Sequence, residues 1–157
     1  MLVIRRAGLA DKEAIWRVHT AAIRETCKSH YTQEEIEAWA GALNPKGYGL
    51  SINTGDFFVA EENRAVVGFG QLNREKEEIE AVYVKPSCER RGLGSKILRT
   101  LEDAARAHGL KSLHLSSSLN AVGFYERAGY AAQQETKHLL QSGIEIPCIH
   151  MVKVLKS

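Results

Sequence analysis

The sequence predicts a mixed α/β (α+β) domain whose first strands pair antiparallel. Three observations carry that prediction. Alternating apolar runs and helical stripes follow one another in the order β-α-α-β-β-β-α-β-α-β-β. Two neighbouring strand runs, residues 56–60 and 65–72, are separated only by a hairpin turn at Glu62-Asn63-Arg64. A long apolar-striped stretch, residues 92–108, then stands between later strands, with Leu93, Ile97, Leu101 and Ala104 on one helical face.

The elements follow in chain order. Residues 2–6 read as a strand. Gly8 and Asp11 supply helix-start chemistry for a helix over residues 9–26. That helix has two apolar stripes, Ile15-Val18-Ala22 and Trp16-His19-Ile23, so it is buried on more than one side or borders a pocket. Thr32 with Glu35 is a capping-box pair that opens a second helix through Ile36, Trp39 and Ala40, ended by Asn44-Pro45. Residues 44–55 read as a glycine-rich loop. Residues 79–84, rich in β-branched and aromatic side chains, form a further strand. Gly109 stops the long helix. Residues 112–115 are a strand and 120–128 a short helix. Residues 130–139 and 144–154 form a closing pair of strands around Ser142-Gly143.

The 157 residues fit one domain, residues 1–157, with no linker, repeat or low-complexity tract. A content of 44% hydrophobic and 25% charged residues is ordinary for a soluble protein, and a net charge of +2 is too small for a general nucleic-acid binder. The charge is unevenly spread. Residues 85–111 carry seven Lys or Arg against three acids, which leaves the remainder negative. Cys27, Cys88 and Cys148 are far apart, odd in number and without metal-binding spacing, as expected of reduced thiols in a cytoplasmic protein with no metal. The first residues lack the apolar core of a signal peptide, and no stretch approaches the roughly 18 apolar residues of a membrane span.

The positive charge centres on ERRGLGSKIL, residues 89–98. A glycine turn leading into a helix is an anion site because the first helical amides have no internal partner and carry a partial positive charge. Glycine lets a diphosphate approach the backbone, and arginine adds charge-assisted bonds. Two familiar phosphate motifs are absent. Gly94 is followed by Ser95-Lys96, not Lys-Ser/Thr, with no glycine five residues before it. A dinucleotide fingerprint needs glycine where Ile97 stands. Alone, the stretch reads equally well as a structural turn.

Its surroundings extend the pattern. VYVKPSCERRGLGSKILRTLEDAARAHG, residues 82–109, resembles the acyl-CoA-binding motif of the GNAT N-acetyltransferase superfamily: a strand, a pyrophosphate loop with two small residues, then a long helix. Gly92 and Gly94 match the small residues, while Glu89 departs from the usual Gln or Arg. SLNAVGFYERAGY, residues 118–130, resembles the second half of the same core. The resemblance implies a mixed, mostly antiparallel central sheet of about seven strands flanked by helices. It also implies an acetyltransferase that takes acetyl-CoA as cosubstrate.

In that family the strand before the loop and the strand after the long helix splay apart around the pantetheine arm. The resemblance therefore assigns Val82, Tyr83 and Val84 to the arm and the amides of Arg90, Arg91, Gly92, Leu93, Gly94 and Ser95 to the pyrophosphate. Lys85, Arg90, Lys96 and Lys111 are candidates for the remaining phosphate. Asn120 is a helix cap, a cofactor contact or both, and Phe124 a core residue or cofactor wall. Tyr125 is the candidate general acid toward the departing thiolate. Glu80, which strict alternation places on one face with Val82 and Val84, is the candidate base. His19, His30 and His114 are alternatives to it. Trp16, Trp39, His30 and Tyr31 are candidates to line the site of a small-molecule or peptide amine. A non-catalytic acyl-CoA sensor is the competing reading. Family members often form homodimers through their last strands. No membrane or nucleic-acid partner is expected.

Overall fold

The computed structural model describes residues 1–140 and 142–156; Gln141 and Ser157 lie outside the described residues. Its strands are β1 (Leu2–Arg6), β2 (Asp56–Glu62), β3 (Ala65–Asn73), β4 (Glu78–Val84), β5 (Ser112–Ser117), β6 (Ala131–Leu139) and β7 (Glu145–Val154). They form one sheet in the order β1-β2-β3-β4-β5-β7-β6. Every neighbouring pair is antiparallel except β4 and β5. The helices are α1 (Lys12–Ala21), α2 (Gln33–Gly41), α3 (Gly49–Thr54), α4 (Leu93–Ala107) and α5 (Val122–Arg127).

Alternation along β3 decides what covers each face. Phe69 stacks on Phe57 at 5.6 Å and joins Ile15 and Val18 of α1. Gly68 and Gly70 point the other way, toward α4. A Cβ on Gly70 would lie 2.5 Å from Ile97, so the bare backbone is what lets α4 lie so close. Ile97, Leu98, Leu101 and Ala105 are buried there, worth about 1.5–3 kcal/mol for each large side chain. Tyr125 and Tyr130 extend this core beside Leu113, Leu115 and Met151. On the other face, Ile23, Tyr31 and Ile36 pack against Leu140 and Ile146.

Ion pairs fix the lower rim. Asp56 is fully buried and accepts from Arg74 at 2.7 Å and Arg6 at 3.2 Å. Burial alone would raise its pKa, but these guanidiniums hold it below the usual carboxylate range. Glu102 of α4 accepts from Tyr130 Oη at 2.8 Å and Lys153 Nζ at 3.0 Å, which ties α4 to β7.

Three expectations need correction. Residues 44–55 are not a loop: Asn44 caps a 3₁₀ turn, Pro45–Tyr48, and α3 follows. Tyr48 anchors this segment against Phe57 and Phe69, a tertiary contact that the glycine count concealed. The helix predicted over residues 9–26 is composite. A 3₁₀ turn precedes α1, and a wider π-type turn, Ala22–Thr26, follows it and buries Ala22 and Ile23. The third concerns Glu80. Gln71 pairs with Ala81, but Leu72 pairs with Ile79, so Glu80 is the extra residue of a β-bulge. The bulge breaks the alternation. Ile79 packs in the α4-side core with Val82, and Glu80 does not share their face.

Candidate active site

β4 and β5 pair only at Glu78↔His114 and Ile79↔Leu115. Beyond those pairs they diverge. The edge of β4 facing β5 is therefore unpaired through Val84, while its other edge stays bonded to β3. Two cavities open at this wedge, and Tyr83 and Ser118 line both.

The first cavity, about 850 Å³, runs from β4 along the start of α4 to α5. Val82, Tyr83 and Val84 form one wall, and Arg90, Gly92, Leu93, Gly94 and Ser95 form its floor. Gly92 caps α4 in the left-handed region at φ 79°, a conformation that side chains resist. The first hydrogen bond of α4 runs from Lys96 N to Gly92 O, so the Leu93, Gly94 and Ser95 amides have no partner within the helix. Phe124 closes against Gly94, where a Cβ would meet its ring at 3.2 Å. Asn120 Oδ1 is buried without a hydrogen-bond partner among the described residues. Cys27 also lines this cavity, and burial pushes its thiol up to about 11, which keeps it protonated and unreactive.

The cations differ from those expected. Arg90, Arg99, Arg127 and Lys153 line the first cavity, while Lys85, Lys96 and Lys111 do not. Lys153 is engaged by Glu102. The Arg91 side chain turns away to pair with Glu62 of β2, which leaves only its main chain near the turn. Glu89 lines the rim and accepts a hydrogen bond from Thr26 Oγ1 at 3.0 Å, so its charge is partly turned toward the end of the first helical run. Arg99 stands one helical turn beyond Ser95. That i, i+4 spacing was the available signal for it.

The second cavity, about 680 Å³, lies on the α1–α2 side. Tyr31, Trp39, Tyr48, Phe69 and Tyr83 line it, and Glu78 and Glu80 stand together at the β4 bulge. Trp16 and His30 do not line it. The Trp16 indole donates to Leu43 O at 3.1 Å, and exposed His30 meets Ser29 Oγ at 2.7 Å. His19 does line it, with Nδ1 2.9 Å from Tyr48 Oη and its ring 4.4 Å from that of Tyr83. Burial pushes the His19 pKa down to about 4, so the imidazole is neutral at pH 7. His114 stands beside the cavity, with Nε2 2.7 Å from Lys76 O and Nδ1 3.9 Å from Glu78. Burial and the neighbouring Glu80 carboxylate raise the Glu78 pKa.

Tyr125 is buried between Phe124 and Tyr130 and lines neither cavity itself, while its neighbour Phe124 lines the first. Burial raises its pKa, so the phenol keeps its proton. Among the described residues, no group of three His, Cys, Asp or Glu is placed to hold a metal ion. No described helix is long and apolar enough to cross a membrane.

Comparison with known proteins adds four findings. Residues 27–155 match the family model described as an acetyltransferase (GNAT) domain. The "Uncharacterized N-acetyltransferase YafP" of Escherichia coli K12 is 25% identical over 134 residues, 85% of this chain and 84% of that protein. Among solved structures, a GCN5-related N-acetyltransferase from Rhodopseudomonas palustris superposes with a TM-score of 0.91 at 26% identity, over 98% of this chain and 95% of that one. The PaiA N-acetyltransferase of Thermoplasma acidophilum, solved with coenzyme A, shares the fold at a TM-score of 0.81 and 21% identity, over 99% of both chains.

Proposed function

The chain belongs to the GNAT acetyltransferase family, and from that premise we propose that residues 1–157 form one catalytic domain that acetylates an amine. The acetyl group comes from acetyl-CoA, and the amine attacks it directly while both are bound. The observation that carries this reading is the wedge between β4 and β5, where two cavities meet at Tyr83 and Ser118. One suits the cosubstrate and the other the acceptor.

The residues of the first cavity fit coenzyme A. The free edge of Val82–Val84 can pair with the amides of a pantetheine arm as a further strand would. Asn120 Oδ1, buried without a partner, accepts one amide N–H of that arm. The unpaired amides at the start of α4 and the Arg90, Arg99 and Arg127 side chains match a diphosphate. The thioester supplies an activated acetyl group and a thiolate leaving group.

The protein's own residues do the rest. Main-chain amides on the β4 edge polarise the acetyl carbonyl, as an oxyanion hole does. Glu80, at the bulge and facing the acceptor cavity, takes the proton that the attacking ammonium must lose. The nitrogen–carbon bond forms as the carbon–sulfur bond breaks, and Tyr125 gives its proton to the departing sulfur. A phenol holds that proton at neutral pH even at its ordinary pKa near 10. Holding both substrates at one junction supplies much of the remaining acceleration. The three cysteines are free and buried, in keeping with work in the reducing cytoplasm.

Calorimetry with acetyl-CoA and with ATP, followed by thiol release in the presence of an amine panel, tests the proposal. Uptake of acetyl-CoA alone, with amine-dependent release, is the expected result. Uptake without turnover on any amine would replace it with the sensor reading.

A further inference from the structure

The second cavity carries more information than its position. We propose that it selects a singly charged primary amine on a flat aromatic body, an arylalkylamine, over polyamines and peptide termini. This rests on the acetyltransferase reading above.

The charge on the wall is localised. Glu78 and Glu80 are the only acids among the described residues lining the cavity, and they stand two residues apart at one bulge. The basic groups on the wall are Lys76, His138 and His19, and none of them attracts a cation, while burial keeps the Tyr31, Tyr48 and Tyr83 phenols and the Cys148 thiol protonated. One ammonium therefore finds a counter-charge, and a second at polyamine spacing finds none.

The rest of the wall is mostly rings and aliphatic side chains, with Gln71, Ser116 and Ser118 as its neutral polar groups. Trp39 meets Tyr31 edge-on at 5.4 Å, and Phe69 stacks with Tyr83 at 5.7 Å. Two of the hydroxyls on this wall, those of Tyr31 and Tyr48, are spent within the protein. Tyr31 Oη donates to Pro147 O at 2.6 Å and accepts from Leu119 N at 3.0 Å. Tyr48 Oη is engaged with His19. A peptide entering this space would bury amides against ring faces with few partners, which is costly. An aromatic body loses nothing there and gains stacking, and its ammonium passes the face of Tyr83 on the way to the carboxylates. A volume of about 680 Å³ suits one small molecule.

The full chain and acetyl-CoA are assayed by thiol release with phenethylamine, tryptamine, spermidine and an alanyl tripeptide. The expected kcat/KM is about 10- to 200-fold higher for the two arylalkylamines, the range that one apolar pocket commands. Trp39→Ala should raise the KM for tryptamine about tenfold and leave that for acetyl-CoA within about twofold. Leu43→Glu, which adds a third carboxylate on a half-buried part of the wall outside the β4 bulge, should move preference toward spermidine. Higher kcat/KM for spermidine or the tripeptide overturns the proposal but leaves acetyl transfer standing. An unchanged tryptamine KM in a folded Trp39→Ala, or an unmoved preference in Leu43→Glu, overturns it as well. Silence of every amine overturns this proposal and the catalytic reading together, while acetyl-CoA uptake in the calorimeter still reports on the first cavity alone.

Discussion

The two cavities share a strand but are built differently. The first is organised by main chain, with a free strand edge, a left-handed glycine and the opening turn of one helix, and cationic side chains stand around it. The second is made of side chains from α1, α2, β3, β4 and the β6–β7 hairpin. A backbone site needs particular residues at fixed spacing, because only some residues permit its geometry. A side-chain site needs only that suitable groups arrive together, and many sequences can achieve that.

This contrast can be broken first at the proposed acid. Tyr125→Phe should lower kcat about 10²–10⁴-fold, the range for a positioned acid, with acetyl-CoA affinity and folding unchanged. Steady-state rates beside calorimetry check this, and a variant of normal kcat would remove Tyr125 from the chemistry. Next, Gly92→Glu loads the first cavity alone. A side chain held at φ 79° and a carboxylate beside the diphosphate should together weaken acetyl-CoA binding about 100-fold or more. Titration of the variant reads this directly, and retained affinity would dislodge the diphosphate from this turn. Glu80→Gln should act only on the second cavity. A loss of about 10- to 100-fold in kcat/KM for the amine is expected, with the rate recovering at high pH as free amine accumulates. A pH–rate profile identical to that of the parent would leave Glu80 out of proton removal.

The smallest effect is on stability. His19 is held neutral in the fold, with a pKa pushed down to about 4 from 6.5. The unfolded chain therefore takes up this proton first. Stability is whole above about pH 6.5 and drains as pH falls toward 4, by on the order of 2–3 kcal/mol. Thermal melts at pH 7 and 4.5 should differ less for His19→Gln than for the parent, and equal differences would discount burial of this imidazole.

How much was legible follows from the same contrast. The β2–β3 hairpin was readable because Asn63 and Arg64 must adopt positive φ, at 52° and 67°, and turn residues advertise it. The Thr32–Glu35 capping box was readable because both of its hydrogen bonds are local. The bulge at Glu80 was not, because it is set by the register of β3 against β4 and not by any residue within β4. Arg127 and Lys153 could not be assigned to the first cavity from sequence, since α5 and β7 reach it only through packing on α4. Nor could the role of Tyr48 be read, because it lies among glycines and anchors only once Phe57 and Phe69 are in place.

The sequence by itself determined the order of the strands, the glycine turn at Gly92 and Gly94 that opens α4, and the family. These depend on conformations and spacings within a few residues. Tertiary structure alone decided where β4 leaves β5, which face Glu80 takes, and which rings wall the second cavity. Those outcomes depend on sheet register and on packing between segments far apart in the chain, and no local stretch carries that information.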